Sequence, residues 1–245
     1  MTEQAAERIY DGRADDYGYR TDASTTERLK VELTRRYVTP QARVLDVGSA
    51  NGVHLRLVAP LCAHATGIDV SPRMIELARE RLAADGVANV DLIQASADDL
   101  PFDDVAFDLV YSFSTLLLVP NLSQALDEIR RVLTPGGVAL LDIAGRWNLS
   151  QRHWRRWYRE QGHFGVHAMS LRQLDRALAS RGLEIAEIHA LGVTDQWRYV
   201  RGSHRLKRLD TVFHGPGDRD RDYRVSNLPG VRRMANRWFV AARRL

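Results

Sequence analysis

Three things are scarce in this sequence. A single cysteine, Cys62, stands among 245 residues, so no disulfide framework and no multi-cysteine zinc site can be drawn, and a reducing cytoplasm is the compartment that fits. Lysine is almost as rare, with Lys30 and Lys207 the only two. Nowhere do about 18 apolar residues follow one another, the length needed to cross a bilayer. The opening residues, Met1-Thr2-Glu3-Gln4, also lack the basic-then-apolar pattern of a signal peptide. These absences lead to the expectation of a soluble, cytoplasmic protein with no metal site. No tandem repeat or long low-complexity tract breaks the chain. A hydrophobic content of 44% over this length suffices for one substantial core, and α/β folds of this size are commonly single domains.

Charge is modest in total and uneven in place. Residues 1–144 hold 14 Lys and Arg against 22 Asp and Glu, whereas 145–245 hold 21 against 9. A basic half of this kind points to an anionic partner, whether nucleic acid, membrane or acidic substrate. The other reading is that arginine is simply the general surface cation of a chain nearly without lysine.

What is present centres on Val44-Leu45-Asp46-Val47-Gly48-Ser49-Ala50-Asn51-Gly52. Arg43 to Val47 reads as a short strand buried on both faces, and it runs into a turn with almost no side chains. Gly48 and Gly52 supply the open φ/ψ and close approach that a bound molecule needs. A strand, glycine turn and helix make a nucleotide-type site at the carboxyl end of a parallel sheet. The dinucleotide fingerprint, with glycines at the first, third and sixth positions, fails here because Ala50 and Val53 occupy the last two. Present instead are Asp46, two residues before the glycine, and Gly67-Ile68-Asp69-Val70-Ser71 about twenty residues on. Asp69 would stand at the tip of a second strand, able to accept hydrogen bonds from two ribose hydroxyls.

Elsewhere periodicity sets out the elements. Leu29, Leu33 and Tyr37 form a helical stripe over 25–37 that Pro40 ends. A helix should run from Gly52 to about Val58, and Ser71-Pro72 signals the start of another, with Ile75, Ala78 and Leu82 on one face. Val90 to Gln94 and Phe107 to Tyr111 read as strands. Ser123 is expected to cap a helix carrying Leu122, Leu126, Ile129 and Leu133, after which Pro135-Gly136-Gly137 turns the chain into a strand at 138–143. A helix from Leu171 to Ser180 and strands at 183–190 and 237–242 complete the pattern.

Several of these blocks together resemble the class I S-adenosylmethionine (SAM)-dependent methyltransferases, in particular the broad group acting on small molecules. Asp46-Val47-Gly48-Ser49-Ala50-Asn51-Gly52 is similar to the family's first motif, Asp69 to its ribose acid, and Ser96-Ala97-Asp98-Asp99-Leu100-Pro101-Phe102 to its adenine loop. Phe107-Asp108-Leu109-Val110-Tyr111-Ser112 and Ile129-Arg130-Arg131-Val132-Leu133-Thr134-Pro135-Gly136-Gly137 resemble the fourth and fifth blocks. Two departures are Ala50 at the family's usual middle glycine, and Ser96 where an acid is more common, which shifts the contact to the exocyclic amine to Asp98 or to backbone.

The resemblance implies an α/β fold: a Rossmann-like, seven-stranded, mostly parallel sheet with its last strand antiparallel and helices on both faces. S-adenosyl-L-methionine is the implied cofactor, and 1–245 a single methyltransferase domain. Its parts would be N-terminal lid helices at 1–40, a SAM-binding core at 41–144, and substrate-lid insertions at 145–170 and 191–236. Candidate cofactor contacts are Tyr10 and Tyr17 over the methionine end, Asp46, Gly48, Ser49, Ala50 and Gly52 in the turn, Asp69 and Val70, and Met74 against adenine. Ser96, Ala97 and Asp98 join them, as do Ser112 and Phe113 of the stretch Ser112-Phe113-Ser114, which at the end of the fourth strand would face the cofactor. Many relatives carry two histidines shortly after that strand; the matching places here are Leu117 and Leu118.

From Gly145 the character changes. Trp147, Trp154, Trp157 and Tyr158 interleave with Arg146, Arg152, Arg155, Arg156 and Arg159, and a second insertion holds His204, Arg205, Lys207, Arg208 and His214. Long insertions over a ligand edge are often functional, so the expectation is a substrate lid, with Trp154, Arg155, Trp157 and Tyr158 touching the acceptor. Contact between two copies in a homodimer is the structural alternative. An alcohol or phenol acceptor would want a base near neutrality; His163 and His167 flank the glycine-rich break and are the candidates, while an amine acceptor could dispense with a base.

The expected reaction is methyl transfer to an oxygen or nitrogen of a small molecule, with an anionic group on the acceptor left open by the arginines. Two other classes stand beside it: a nucleic-acid methyltransferase, suggested by the basic aromatic half, and a SAM-binding protein without catalysis. Against nucleic acid, the fourth strand ends Tyr111-Ser112-Phe113-Ser114 with no Asx-Pro-Pro-aromatic motif, and Leu61 rather than proline precedes Cys62.

Overall fold

The structure is a computed structural model that describes residues 3–12, 14, 25–163, 165–194 and 220–245. Among the described residues there are eight strands: β1 (Arg43–Val47), β2 (His64–Asp69), β3 (Val90–Gln94), β4 (Phe107–Ser112), β5 (Leu133–Gly145), β6 (Ala168–Met169), β7 (Leu183–Leu191) and β8 (Arg237–Arg244). The α-helices of the described residues are α1 (Glu3–Asp11), α2 (Thr25–Tyr37), α3 (Val53–Val58), α4 (Pro72–Ala84), α5 (Leu122–Val132), α6 (Gln151–Glu160), α7 (Leu171–Ala179) and α8 (Asp220–Ser226).

Seven strands order as β3-β2-β1-β4-β5-β8-β7, with β8 antiparallel to both β5 and β7 and the remaining pairs parallel. Alternation along each strand sends side chains to two faces. Leu45, Val47, Val110, Leu141, Ile143 and Trp238 pack with α5 and α7 on one face. Val44, Leu109, Tyr111, Leu140 and Phe239 pack with Leu29 and Leu33 of α2 and Leu55 of α3 on the other. Both faces are covered, which is why Val44, Leu45 and Val47 of β1 are all buried although they point to opposite faces. Among the described residues no helix is long and apolar enough to cross a membrane.

Three local expectations change. The eighth strand, β6, is two residues long and pairs parallel with Ala144 and Gly145; β4 has ended opposite Leu141, and two residues are too short to carry a period. The cap of α5 is Asn121, whose side chain accepts from Gln124 N, so Ser123 lies inside the first turn. Lastly, β5 begins at Leu133, which pairs with Phe107, and the Pro135-Gly136-Gly137 stretch is a register shift within the strand rather than a turn before it. Gly136 takes φ of 77° there, a left-handed value that glycine adopts without strain.

Other starts follow the chemistry of their caps. Ser71 accepts from Met74 N at 3.1 Å with Pro72 at the first helical position, and Ser170 forms a capping box with Gln173. The C-terminal side is tied by Asp222 on α8, 4% exposed. It accepts from Gly192 N at 2.7 Å, Thr194 N at 3.0 Å, Thr194 Oγ1 at 2.6 Å and Ser226 Oγ at 3.3 Å. Asp222→Ala leaves two buried backbone donors without their acceptor, so urea unfolding should show a loss of about 2 to 4 kcal/mol. A loss below about 0.5 kcal/mol would show that water replaces the carboxylate freely.

Candidate functional site

At the carboxyl ends of β1, β2 and β4 lies a cavity of about 240 Å³. Its floor is the turn after β1, with Gly48 and Ala50 on the wall. Gly48 N and Ser49 N both donate to Ile68 O, at 2.9 and 2.8 Å, and Ala50 N donates to Asp69 Oδ2 at 2.9 Å. The other oxygen of Asp69 accepts from Ser71 N at 3.0 Å. This carboxylate is therefore fixed by two backbone donors at the edge of the cavity. Burial pushes it up to about 6, against the pull of the backbone donors.

Behind the floor is a polar layer. Asp46 is 3% exposed; burial pushes its carboxyl up to about 8, a hydrogen bond from Tyr111 draws it down, and the charge of Asp69 raises it again. His54 lies 3.0 Å from Thr34 Oγ1, edge-on to Tyr111 and Phe113. Burial lowers it to about 3, so it is neutral at physiological pH.

The remaining walls come from five segments. Met74, Ala95, Ser96 and Ala97 form an apolar slot beside Asp69. The loop after β4 contributes Phe113, Ser114, Thr115, Leu118, Val119 and Pro120. Ala6 and Tyr10 reach in from α1, Trp157 and Tyr158 from α6. Helix α1 is anchored by Asp11, whose carboxylate accepts from Ser71 Oγ and, at 3.3 Å, from Arg73 N.

Of the residues singled out in the sequence, Tyr10, Gly48, Ala50, Asp69, Val70, Met74, Ser96, Ala97, Phe113, Trp157 and Tyr158 meet at this cavity. Others stand behind its walls. Ser112 Oγ donates to Val47 O at 2.9 Å, Ser49 is 5% exposed, and Asp98 accepts from Ser96 Oγ. Gly52 packs on α4, where an added Cβ would lie 2.9 Å from Ala78 Cβ. The close approach of α4 and a φ of 80° both call for glycine there.

The two candidate histidines are not among the lining residues. His163 is 4% exposed, with its ring 5.5 Å from those of both Tyr10 and Tyr158. His167 Nε2 lies 2.8 Å from Val119 O, so that nitrogen carries a hydrogen and donates. Trp154 and Arg155 on α6 also do not line the cavity, and Arg152, Arg155, Arg156 and Arg159 are all exposed. Tyr17, His204, Arg205, Lys207, Arg208 and His214 lie outside the described residues. No group of His, Cys, Asp or Glu suited to a metal occurs among the described residues.

Sequence reasoning set Ser114 at the cofactor end of the fourth strand, and Ser114 lines the cavity; it passed over Thr115 and two cations behind Ser114, Lys30 and Arg237. Lys30 had one signal: it is one of two lysines and sits in α2 beside the apolar stripe. Arg237 gave none, being one arginine among many.

Residues 45–141 match the family model described as "Methyltransferase domain". A demethylmenaquinone methyltransferase from Clavibacter sepedonicus is 42% identical over 106 residues, covering 42% of each chain. The O-methyltransferase rstn1 of Aspergillus nomiae is 37% identical over 122 residues, or 48% of this chain and 54% of that one. The matched segments thus span about half the length of these curated relatives or less. Among solved structures, that of the [4+2]-cyclase SpnF superposes with a TM-score of 0.68 at 23% identity, over 100% of this chain and 97% of that one. This likeness shows the fold, the Rossmann-like methyltransferase sheet, and a fold hosts more than one chemistry.

Gly48 offers a test of what its missing side chain is for. An added Cβ would fall 2.8 Å from Thr115 Cβ and nearer still to the rest of that side chain, and φ is 83°. Sequence reasoning had assigned this space to a ligand, but Thr115 already limits it. Gly48→Ala should cost about 2 to 3 kcal/mol of stability through strain and overlap. Combining it with Thr115→Ala should recover about 1 kcal/mol in a double-mutant cycle of denaturant midpoints. Strict additivity would remove Thr115 as the cause.

Proposed function

On the premise that residues 45–141 are a methyltransferase domain of the class I SAM-dependent type, we propose that this chain transfers a methyl group to a small, largely apolar acceptor. The observation that carries the reading is Asp69, with one oxygen on Ala50 N and the other on Ser71 N beside a cavity whose next wall is the Met74–Ala97 slot. A fixed carboxylate suits two ribose hydroxyls, and an apolar slot suits a purine; the residues fit S-adenosylmethionine. That cofactor supplies, when bound, a methyl group on a positively charged sulfur. Asp69 accepts from the ribose, Met74 and Ala97 hold the base, and Gly48 and Ala50 bring bare backbone to the methionine end. Tyr10, Trp157 and Tyr158 exclude water.

The acceptor side is Tyr10, Phe113, Leu118, Val119, Pro120, Trp157 and Tyr158, mostly apolar or aromatic. A flat apolar molecule fits such a wall better than an anionic one, and the arginines of α6 are left to steer from the surface. With no histidine among the described residues of the wall, the reading departs from a His163 or His167 base: the acceptor is already nucleophilic at carbon or nitrogen, or is an oxygen that ionises easily. Catalysis then rests on positioning and dryness. Relatives that methylate a demethylmenaquinone or act as O-methyltransferases by name support a small-molecule acceptor.

Calorimetry with SAM or its demethylated product tests the reading. Asp69→Ala should weaken both by roughly ten- to a hundredfold, the equivalent of ~1.5 to 3 kcal/mol for a charged hydrogen bond. Unchanged affinity in a folded variant would remove the site.

The sign of the pH effect follows from Asp69, held near about 6. Ribose hydroxyls donate best to the ionised form, so affinity should rise from about pH 5 to about pH 7 and then level off. Asp69→Asn should flatten that rise. Affinity that falls over the same range would contradict an ionised acceptor.

A further inference from the structure

Ser114 is held more tightly than a loop serine needs to be. It lies just past β4 with φ of 65°, a left-handed value that residues other than glycine seldom adopt and that recurs at functional sites. Its backbone N donates to Asp142 Oδ1 at 2.6 Å, and Asp142 is fully buried. The second oxygen of Asp142 accepts from Arg237 Nη1 at 2.8 Å, and the same nitrogen donates to Ser114 Oγ at 2.8 Å. From the other side Lys30 Nζ donates to Ser114 Oγ over 3.4 Å, while lying 5.8 Å from the centre of the Phe113 ring. Lys30 is 9% exposed and also bonds Glu27 at 2.8 Å.

A hydroxyl has two lone pairs and one proton. Here both lone pairs face cationic donors, so Ser114 can act toward anything else only as a donor. Ser114 lines the cavity, and among the described residues no side chain or carbonyl accepts that proton. Donors of this kind, with charge behind them, bind oxygen anions strongly. Lys30 is nearly buried and the Arg237 side chain is 26% exposed, and each cation already has a carboxylate partner in Glu27 or Asp142, so ion pairing alone does not call for both to converge on one hydroxyl.

We propose that Ser114 is a donor-only hydroxyl, backed by Lys30 and Arg237, that binds an anionic or electron-rich oxygen at the cavity wall. Lys30 and Arg237 are positioning residues acting through it. The proposal rests on the cofactor-and-acceptor reading of this cavity. Two sources could bring such an oxygen: the amino-acid carboxylate of the cofactor, or a carbonyl, phenolate or enolate oxygen of the acceptor.

The test uses the full chain as wild type, Ser114→Ala and Ser114→Gly, the last because glycine suits the positive φ and keeps the fold. Three probes are titrated: S-adenosylhomocysteine, 5′-methylthioadenosine, which lacks the carboxylate, and 4-nitrophenol, whose phenolate is read by its visible absorbance. If both variants lose about tenfold in affinity for S-adenosylhomocysteine and keep methylthioadenosine, the site holds the cofactor carboxylate. If nucleoside binding is unchanged and the variants lose the wild-type stabilisation of bound phenolate, it holds an acceptor oxygen. Affinities and phenolate absorbance that match wild type in both variants overturn the proposal. Wild type that binds neither nucleoside would refute the cofactor reading instead, and the phenolate arm, which needs no nucleoside, then decides Ser114 alone.

Discussion

Three consecutive N–H groups after β1 are spent on the end of β2: Gly48 and Ser49 donate to Ile68 O, and Ala50 to the Asp69 carboxylate. That docking is the constraint on which the site depends. It draws the turn down onto the sheet, and Gly67 allows it, since an added Cβ there would sit 3.0 Å from Ser49 Cβ. The same bonds fix one oxygen of Asp69, leave bare backbone as a floor, and deliver the chain into α3. Gly48 and Gly52 then answer two different neighbours, Thr115 and Ala78. Glycines that look alike in the sequence thus have unlike causes.

Charge around the cavity is sorted by depth. Directly beneath the floor, Asp46 and His54 are both driven toward their neutral forms by burial, so the layer is polar with little charge at neutral pH. Lys30 and Arg237 keep near partners in Glu27 and Asp142 and converge on Ser114. The arginines of α6 stay exposed. Among the described residues, the charges nearest the cavity are therefore a few placed groups rather than the exposed arginines of α6.

Features carried by contiguous residues were legible. The strand and turn at Val44 to Gly52, the Ser71-Pro72 helix start and the four-three spacing of Leu122, Leu126 and Ile129 in α5 each follow from neighbours in the chain. Asn121 and Ser123 are both good caps, and only the geometry at Gln124 N decides between them. Ser114 was placed by its position after the fourth strand, but its cationic partners could not be found because they stand 84 and 123 positions away. His163 and His167 drew notice through the glycines around them, yet one packs between Tyr10 and Tyr158 and the other bonds Val119 O. Spacing near a break in the chain says nothing about which way a ring faces.

Hydrogen exchange of the full chain with and without S-adenosylmethionine tests most directly the claim that one cofactor site is built on the β1–β2 docking. Protection is predicted in the turn 48–52, in 69–74, in 95–98 and along α1, with α8 and the outer end of β7 unchanged. Protection absent from the first three segments, or confined to α8 and β7, would contradict it.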